Sequence, residues 1–294
     1  MKIGFIGFGE AARAFQESLA GCDSGLAFAA YDILLDSEGL DGASAQAMRE
    51  RSVAIAQPPQ AGLNDADWIF SAVTADQSLE AANAAARYLR PGQVFFDINS
   101  VSPERKRESA GTVETAGARY IDMAVMAPVH PKGHQTATLL AGDLDTPLRQ
   151  KLADLGFAFD IVADEPGAAT AIKMVRSLFV KGLEAITVEA LLAASASGCL
   201  DQVLGSLNAS FPGLDWPTFA HYQFERTLRH GARRAAEMHE SATTVDALQL
   251  HGALATAIAE VHDRMGALPR QSFEGSDLAS ELAELVALRR AQSR

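Results

Sequence analysis

The chain has 294 residues, of which 48% are hydrophobic and 21% charged, the balance of a soluble globular protein with room for two domains. Its formal net charge of −12 argues against a nucleic-acid or anionic-membrane partner, yet leaves open an anionic substrate held in a local cationic pocket. Cys22 and Cys199 make no metal or disulfide pattern, no uncharged apolar run reaches the ~18 residues of a membrane span, and Lys2 leads straight into the first apolar run, so a cytoplasmic protein without a leader is expected.

In chain order, Ile3 to Ile6 predicts a buried strand over 2–6. It enters Gly7-x-Gly9-x-x-Ala12, and the amphipathic run of Ala11, Ala14, Phe15 and Leu19 predicts a helix over 10–20. Strand, glycine turn and helix are the context in which this pattern binds a dinucleotide. Gly7 suits the tight turn, Gly9 lets backbone approach a pyrophosphate, and the small Ala12 permits close helix packing. Gly7, Phe8, Gly9, Glu10 and Ala11 are therefore candidate cofactor contacts, with free N–H groups at the helix N-terminus.

The second strand, 26–31, ends at Asp32, which lies 25 residues past Gly7. A carboxylate there accepts hydrogen bonds from the adenosine ribose and repels a 2′-phosphate. Ile33 and Leu34 follow without an arginine, so NAD is expected over NADP. Asp32 also suits a plain turn after a strand.

Strands are predicted at 53–55, 67–73, 94–98, 119–124, 137–141 and 157–161, with helices at 42–51, 76–89, 103–115 and 146–154 between them. The alternation predicts an α/β fold, a Rossmann-type doubly wound, mostly parallel sheet over residues 1–165. After Asp164-Glu-Pro-Gly167 the pattern turns helical: one long helix over 168–196, then 200–209, 215–230, 232–252, 253–265 and 275–291. Residues 166–294 are thus expected to form an all-α C-terminal domain that begins with the long helix. Apolar stretches 183–194 and 247–258 exceed what one small helical domain needs, which predicts a homodimer through that domain.

The long helix is apolar on most sides, which predicts burial nearly all round. Against this background Lys173, Ser177, Lys181 and Glu184, joined by Thr170, fall within about 80° of one face. A narrow charged stripe on a buried helix points to a cleft, because isolated buried charges are costly. A solvated Lys181–Glu184 pair is the other reading. A lysine in a cleft can exchange a proton with a substrate hydroxyl or carbonyl while a nicotinamide carries the hydride.

These stretches together resemble the β-hydroxyacid dehydrogenases, the family of 6-phosphogluconate and 3-hydroxyisobutyrate dehydrogenases. The resemblance runs through Gly4-x-x-Gly7-x-Gly9, Asp97-Ile-Asn-Ser100-Val-Ser-Pro103, Tyr120-Ile-Asp-Met-Ala-Val125 and Gly167-x5-Lys173. Lys181-Gly-Leu-Glu184 and Arg233-Arg-Ala-Ala-Glu-Met238 mark a less characterised branch with its own helical C-terminal domain.

The resemblance implies Lys173 as the catalytic lysine and Ser100, with Asn99 beside it, near nicotinamide and substrate. It places Val73 and Thr74 at the nicotinamide ribose. Two positions depart from the family. Ser177 stands where an asparagine is usual, and offers a substrate one hydroxyl instead of an amide. Met126-Ala127-Pro128 replaces the Ser-Gly-Gly that binds a substrate carboxylate, and Pro128 has no N–H.

Candidate substrate contacts are therefore Ser100, Met126, Ala127, His130, Arg176 and Lys181. His130 and His134 are four apart, but Pro131 and Gly133 break any helical metal pair, so no metal is expected. The basic run with Arg233, Arg234 and His239 is either a solvated face or a reach into a partner's site. The expected reaction is NAD-dependent interconversion of an alcohol and a carbonyl on a small polar substrate, with Lys173 as general acid/base. An oxidative decarboxylase, an imine reductase or a non-catalytic NAD-responsive regulator are the other readings.

Overall fold

The computed structural model describes residues 1–269 and 277–292, in two compact units, Met1–Lys173 and Met174–Arg294. The division falls inside the long helix, eight residues beyond the expected boundary at 165.

The first unit holds one eight-stranded sheet in the order β3-β2-β1-β4-β5-β6-β7-β8. Its strands are β1 (Lys2–Ile6), β2 (Ala27–Tyr31), β3 (Ala54–Ile55), β4 (Trp68–Ser71), β5 (Val94–Asp97), β6 (Arg119–Val125), β7 (Thr138–Gly142) and β8 (Phe159–Ala163). All neighbours run parallel except β6 and β7. The helices are α1 (Glu10–Cys22), α2 (Leu34–Glu38), α3 (Ala43–Glu50), α4 (Gln60–Leu63), α5 (Ser78–Ala86), α6 (Pro103–Thr115) and α7 (Thr146–Asp154). The short α2 and α4 escape sequence reading because one helical turn shows no periodicity.

Both faces of the central strands are buried, as a parallel sheet requires. Phe5, Phe70 and Phe96 stack across β1, β4 and β5 with centroids 5.7 and 4.9 Å apart. Ile69, Phe95 and Tyr120 fill the opposite face. The β1–α1 turn admits only glycine at position 7, where φ is +80° and a Cβ would lie 2.4 Å from the Ala72 carbonyl oxygen.

The helix α8 (Ala168–Ala196) runs from the first unit into the second. The second unit adds α9 (Leu200–Ser210), α10 (Trp216–Ala247), α11 (Ala253–Gly266) and α12 (Leu278–Gln292). The expected start of the last helix at 275 lies outside the described residues.

Two expectations are corrected here. First, helices 215–230 and 232–252 are one continuous helix, α10. Gly231 does not break it. A Cβ there would lie 2.3 Å from the His262 carbonyl oxygen and 2.6 Å from the Gly266 Cα, so this glycine lets α10 and α11 touch backbone to backbone. Second, α8 is not buried all round. Its polar face carries the buried Thr170, Ser177, Lys181 and Glu184, while Ile172, Val175, Phe179, Leu183 and Ile186 on the opposite face are exposed, Phe179 by 73%. The usual amphipathic order is inverted because α10 supplies ionic partners to Lys181 and Glu184 on the polar face.

Candidate active site

The phosphate-binding turn begins where β1 ends. Gly9 caps α1 with no side-chain hydrogen bond, and no protein atom lies within 4 Å of where its Cβ would stand. Packing does not demand glycine there; the open space beside the first-turn N–H groups of α1 would admit close approach of a ligand. The Phe8 side chain is core, its N–H is held by Asp32 and its carbonyl accepts from Arg13 Nε at 2.7 Å, so Phe8 shapes the turn and has no free donor for a cofactor.

Asp32 makes the local turn expected after β2 and also braces the glycine turn. Its Oδ2 accepts the Phe8 N–H at 2.7 Å and its Oδ1 accepts the Leu34 N–H at 3.0 Å. The first bond holds the glycine turn and the second makes a local turn after β2. A carboxylate has about four acceptor sites, so two remain for ribose hydroxyls. The residues therefore fit a dinucleotide: the α1 N-terminus would hold the pyrophosphate and Asp32 the adenosine ribose.

At the C-terminal ends of β4 and β5, Asn99 organises the next loops. Its Oδ1 accepts the Val73 N–H at 2.7 Å, and its amide nitrogen donates to Ser71 Oγ at 3.0 Å and Ser78 Oγ at 3.3 Å. Asn99 thus supports the site through its neighbours, with its side chain buried. Thr74 beside it is exposed. The next residue, Ser100, is half-buried, and its Oγ accepts from the Lys173 Nζ at 2.5 Å. Residues 73 apart in sequence thus meet, and the amine and hydroxyl form one proton-handling pair.

Next to that meeting lies a buried polar cluster that sequence reading missed. Asp97 and Asp122 are register partners on β5 and β6. Asp122 Oδ2 accepts the N–H of Gly167 at 3.1 Å and of Thr170 at 2.9 Å, and its Oδ1 accepts the Thr170 hydroxyl at 2.8 Å. The carboxylate thus caps α8, the placement that a helix N-terminus favours. Lys106, wholly buried, donates to the Asp97 carbonyl oxygen at 2.7 Å and lies 3.0 Å from Asp97 Oδ1 and 3.4 Å from Asp122 Oδ1. The Tyr120 hydroxyl donates to Asp97 Oδ2 at 2.7 Å, and burial holds this phenol far above its ordinary range, keeping it a donor. A signal existed: Pro103, Lys106, Ala110 and Val113 share the buried face of α6 at helical spacing.

The Met126 N–H is bonded to the Ala137 carbonyl and Pro128 has none, so of these three residues only Ala127 has an N–H to offer. His130 is exposed. His134 is buried, with Nε2 2.7 Å from the Leu155 carbonyl and Nδ1 2.6 Å from Ser18 Oγ. A carbonyl only accepts, so Nε2 carries the proton, and burial lowers the pKa of this ring.

In the second unit, Arg176, Arg233 and His239 are exposed, and Ser177 is buried. Lys181 faces Glu237 at 2.7 Å, and Glu184 lies 3.1 Å from Arg234. Lys181 and Glu184, both buried, thus each meet a partner on α10, in place of a solvated pair with one another. Burial raises the Glu184 pKa and lowers that of Arg234, each opposed by the charge of the other. Among the described residues no group of three or more side chains forms a metal site, and no helix is long and apolar enough to cross a membrane.

Comparison with known proteins agrees with this fold. The profile of the NAD binding domain of 6-phosphogluconate dehydrogenase matches residues 2–146, and a domain of unknown function, DUF1932, matches residues 194–265. A conserved hypothetical protein from Sinorhizobium meliloti 1021, known as a crystal structure, is 34% identical, with 98% of this chain and 96% of that chain covered and a TM-score of 0.77. The conserved protein MTH1747, of unknown function and structurally similar to 3-hydroxyacid dehydrogenases, is 29% identical over 90% of this chain and 96% of its own, with a TM-score of 0.70. The 3-hydroxyisobutyrate dehydrogenase of Mycobacterium tuberculosis shares the fold at 19% identity, covering 97% and 98% of the two chains with a TM-score of 0.71. With a nicotinamide-binding first domain and a DUF1932 helical domain behind it, the chain belongs to the β-hydroxyacid dehydrogenase family of oxidoreductases.

Proposed function

We propose that the protein is an NAD-dependent dehydrogenase that interconverts an alcohol and a carbonyl on a small polar, hydroxyacid-like substrate. The observation that carries this reading is the 2.5 Å contact between Lys173 and Ser100, beside the loop that Asn99 organises. A bound nicotinamide supplies or accepts the hydride. Lys173 takes the proton from the substrate hydroxyl in one direction and returns it to the carbonyl oxygen in the other. Ser100 holds the lysine and has its own hydroxyl proton to give to the same oxygen. Asp32, with Ile33 and Leu34 after it, favours NAD because a 2′-phosphate would meet a carboxylate and no cation.

With one N–H to offer from residues 126–128, a substrate carboxylate would need side-chain cations. Exposed His130 has the chemistry. The test is Lys173→Ala assayed with NAD on a panel of β-hydroxyacids. Turnover should fall by ~10²–10⁴-fold, the usual worth of a positioned acid–base group, with NAD affinity unchanged. Undiminished turnover would remove Lys173 from the mechanism. NAD binding with no turnover across the panel in the parent protein would favour a regulator instead.

We further propose that the protein works as a homodimer, with a second copy covering the exposed apolar face of α8. Ile172, Val175, Phe179, Leu183 and Ile186 follow intervals of 3, 4, 4 and 3, symmetric about Phe179. A two-fold axis at Phe179 would set Ile172 against the partner copy's Ile186 position and Val175 against its Leu183 position, the self-complementarity an isologous contact needs. Phe179→Asp should convert the dimer to a folded monomer in light scattering. A parent protein that is monomeric at micromolar concentration would refute this.

A further inference from the structure

We infer that Lys106 is a positioning residue: through Asp97 and Asp122 it braces the two segments that bring Lys173 and Ser100 together. The inference rests on the reading of Lys173 as the proton-transferring amine.

Two carboxylates in register on adjacent strands stand about 5 Å apart and repel. Lys106 sits between them without solvent, within 3.4 Å of both. Each carboxylate holds one half of the reactive pair. Asp97 Oδ1 accepts the Asn99 N–H at 2.9 Å, and Ser100 is the next residue. Asp122 holds the N–H groups of Gly167 and Thr170, and Lys173 follows three residues, just under one turn, beyond Thr170. The Lys173–Ser100 contact is thus the fourth side of a frame whose other sides are the Asn99 loop, the paired carboxylates and the first turn of α8. A buried ammonium is a poor way to gain stability, since an apolar side chain of similar volume often packs as well or better. Its geometry instead fits it for setting a distance.

The variant Lys106→Met keeps an unbranched side chain one atom shorter and removes the charge, leaving Asp97 and Asp122 side by side without a cation. Adding Asp97→Asn removes one of the two negative charges and keeps an oxygen to accept the Asn99 N–H. The readout that needs no substrate is the rate at which acetic anhydride labels Lys173, measured by peptide mass spectrometry against exposed Lys132 well below the unfolding temperature.

Lys173 should label several-fold faster in Lys106→Met and return toward the parent rate in the Lys106→Met/Asp97→Asn double variant. A merely structural Lys106 would lower thermal stability and leave Lys173 labelling in the folded protein unchanged, which would overturn the inference. Should Lys106→Met not fold, Asp122→Asn carries the same test, because it weakens the cap on α8 while keeping one oxygen. In turnover, Lys106→Met should lose about 10- to 100-fold in kcat, the scale of a 1 Å misplacement, with KM for NAD unchanged. Undiminished turnover of Lys173→Ala would refute the catalytic reading alone, because the labelling result stands apart from it.

Discussion

His262 makes the helical unit sensitive to acid in a way that can be worked from its surroundings. The ring is wholly buried on α11, with Nε2 3.2 Å from the Lys181 carbonyl oxygen and 3.7 Å from Glu184 Oε2. The carbonyl only accepts, so Nε2 carries the proton, and Nδ1 has no hydrogen-bond partner among the described residues. Burial pushes the pKa down from 6.5 to about 4; the Lys181 carbonyl works against that shift, while the Arg234 and Lys181 charges add to it. The unfolded chain therefore binds the proton near pH 6.5 and the folded chain only near 4. Between those values the unfolded state holds more protons, so stability rises with pH and is lost as pH falls from 6.5 towards 4. Carried to pH 5, the linkage removes about 2 kcal/mol relative to pH 7.

The assay uses urea unfolding at pH 7 and pH 5. The chain has two tryptophans, and Trp68→Phe leaves Trp216, buried at the start of α10, as the reporter of the helical unit. In that background the parent should lose about 2 kcal/mol more between the two pH values than His262→Leu does. Glu184, whose pKa burial raises, titrates with the opposite sign and is present in both chains. Equal losses in the two chains would refute the claim that a buried neutral His262 controls this window.

Gly231→Ala should destabilise the helical unit by ~1–3 kcal/mol, the usual cost of overpacking, because its Cβ would strike backbone of α11; an unchanged urea midpoint would contradict the close helix contact. Asp32→Ser should weaken NAD binding about tenfold, near the worth of a charge-assisted hydrogen bond, and narrow its advantage over NADP in calorimetric titration. Unaltered discrimination would leave Asp32 only its turn role.

Much of the first unit was legible before folding. All eight strands fall within two residues of their predicted ends at most boundaries, because apolar runs cut by glycine and proline mark buried parallel strands. The glycine turn was legible because its geometry is local, set by a strand end and the start of a helix. The Lys173–Ser100 pair rested on resemblance, and the sheet then joined two residues that no local rule connects. Lys106 hid within Glu104-Arg-Lys-Arg-Glu108, a charged run that reads as solvent-facing unless its apolar neighbours on the helix are counted. Gly231 read as a break because, in sequence, a glycine that ends a helix and one that admits a second helix look the same.

The sequence by itself determined the order of strands and helices, the turn for a dinucleotide and the change to an all-helical second half. Those features follow from backbone sterics and hydrophobic periodicity acting over a few residues. Only the tertiary structure decided which buried charges meet: Lys106 with Asp97 and Asp122, Lys181 with Glu237, and Arg234 with Glu184. It also decided that α8 buries its polar face and exposes its apolar one. The physical reason is that a charge is tolerable inside a protein only beside its partner, and these partners lie on other elements, so no periodicity within one helix reveals them.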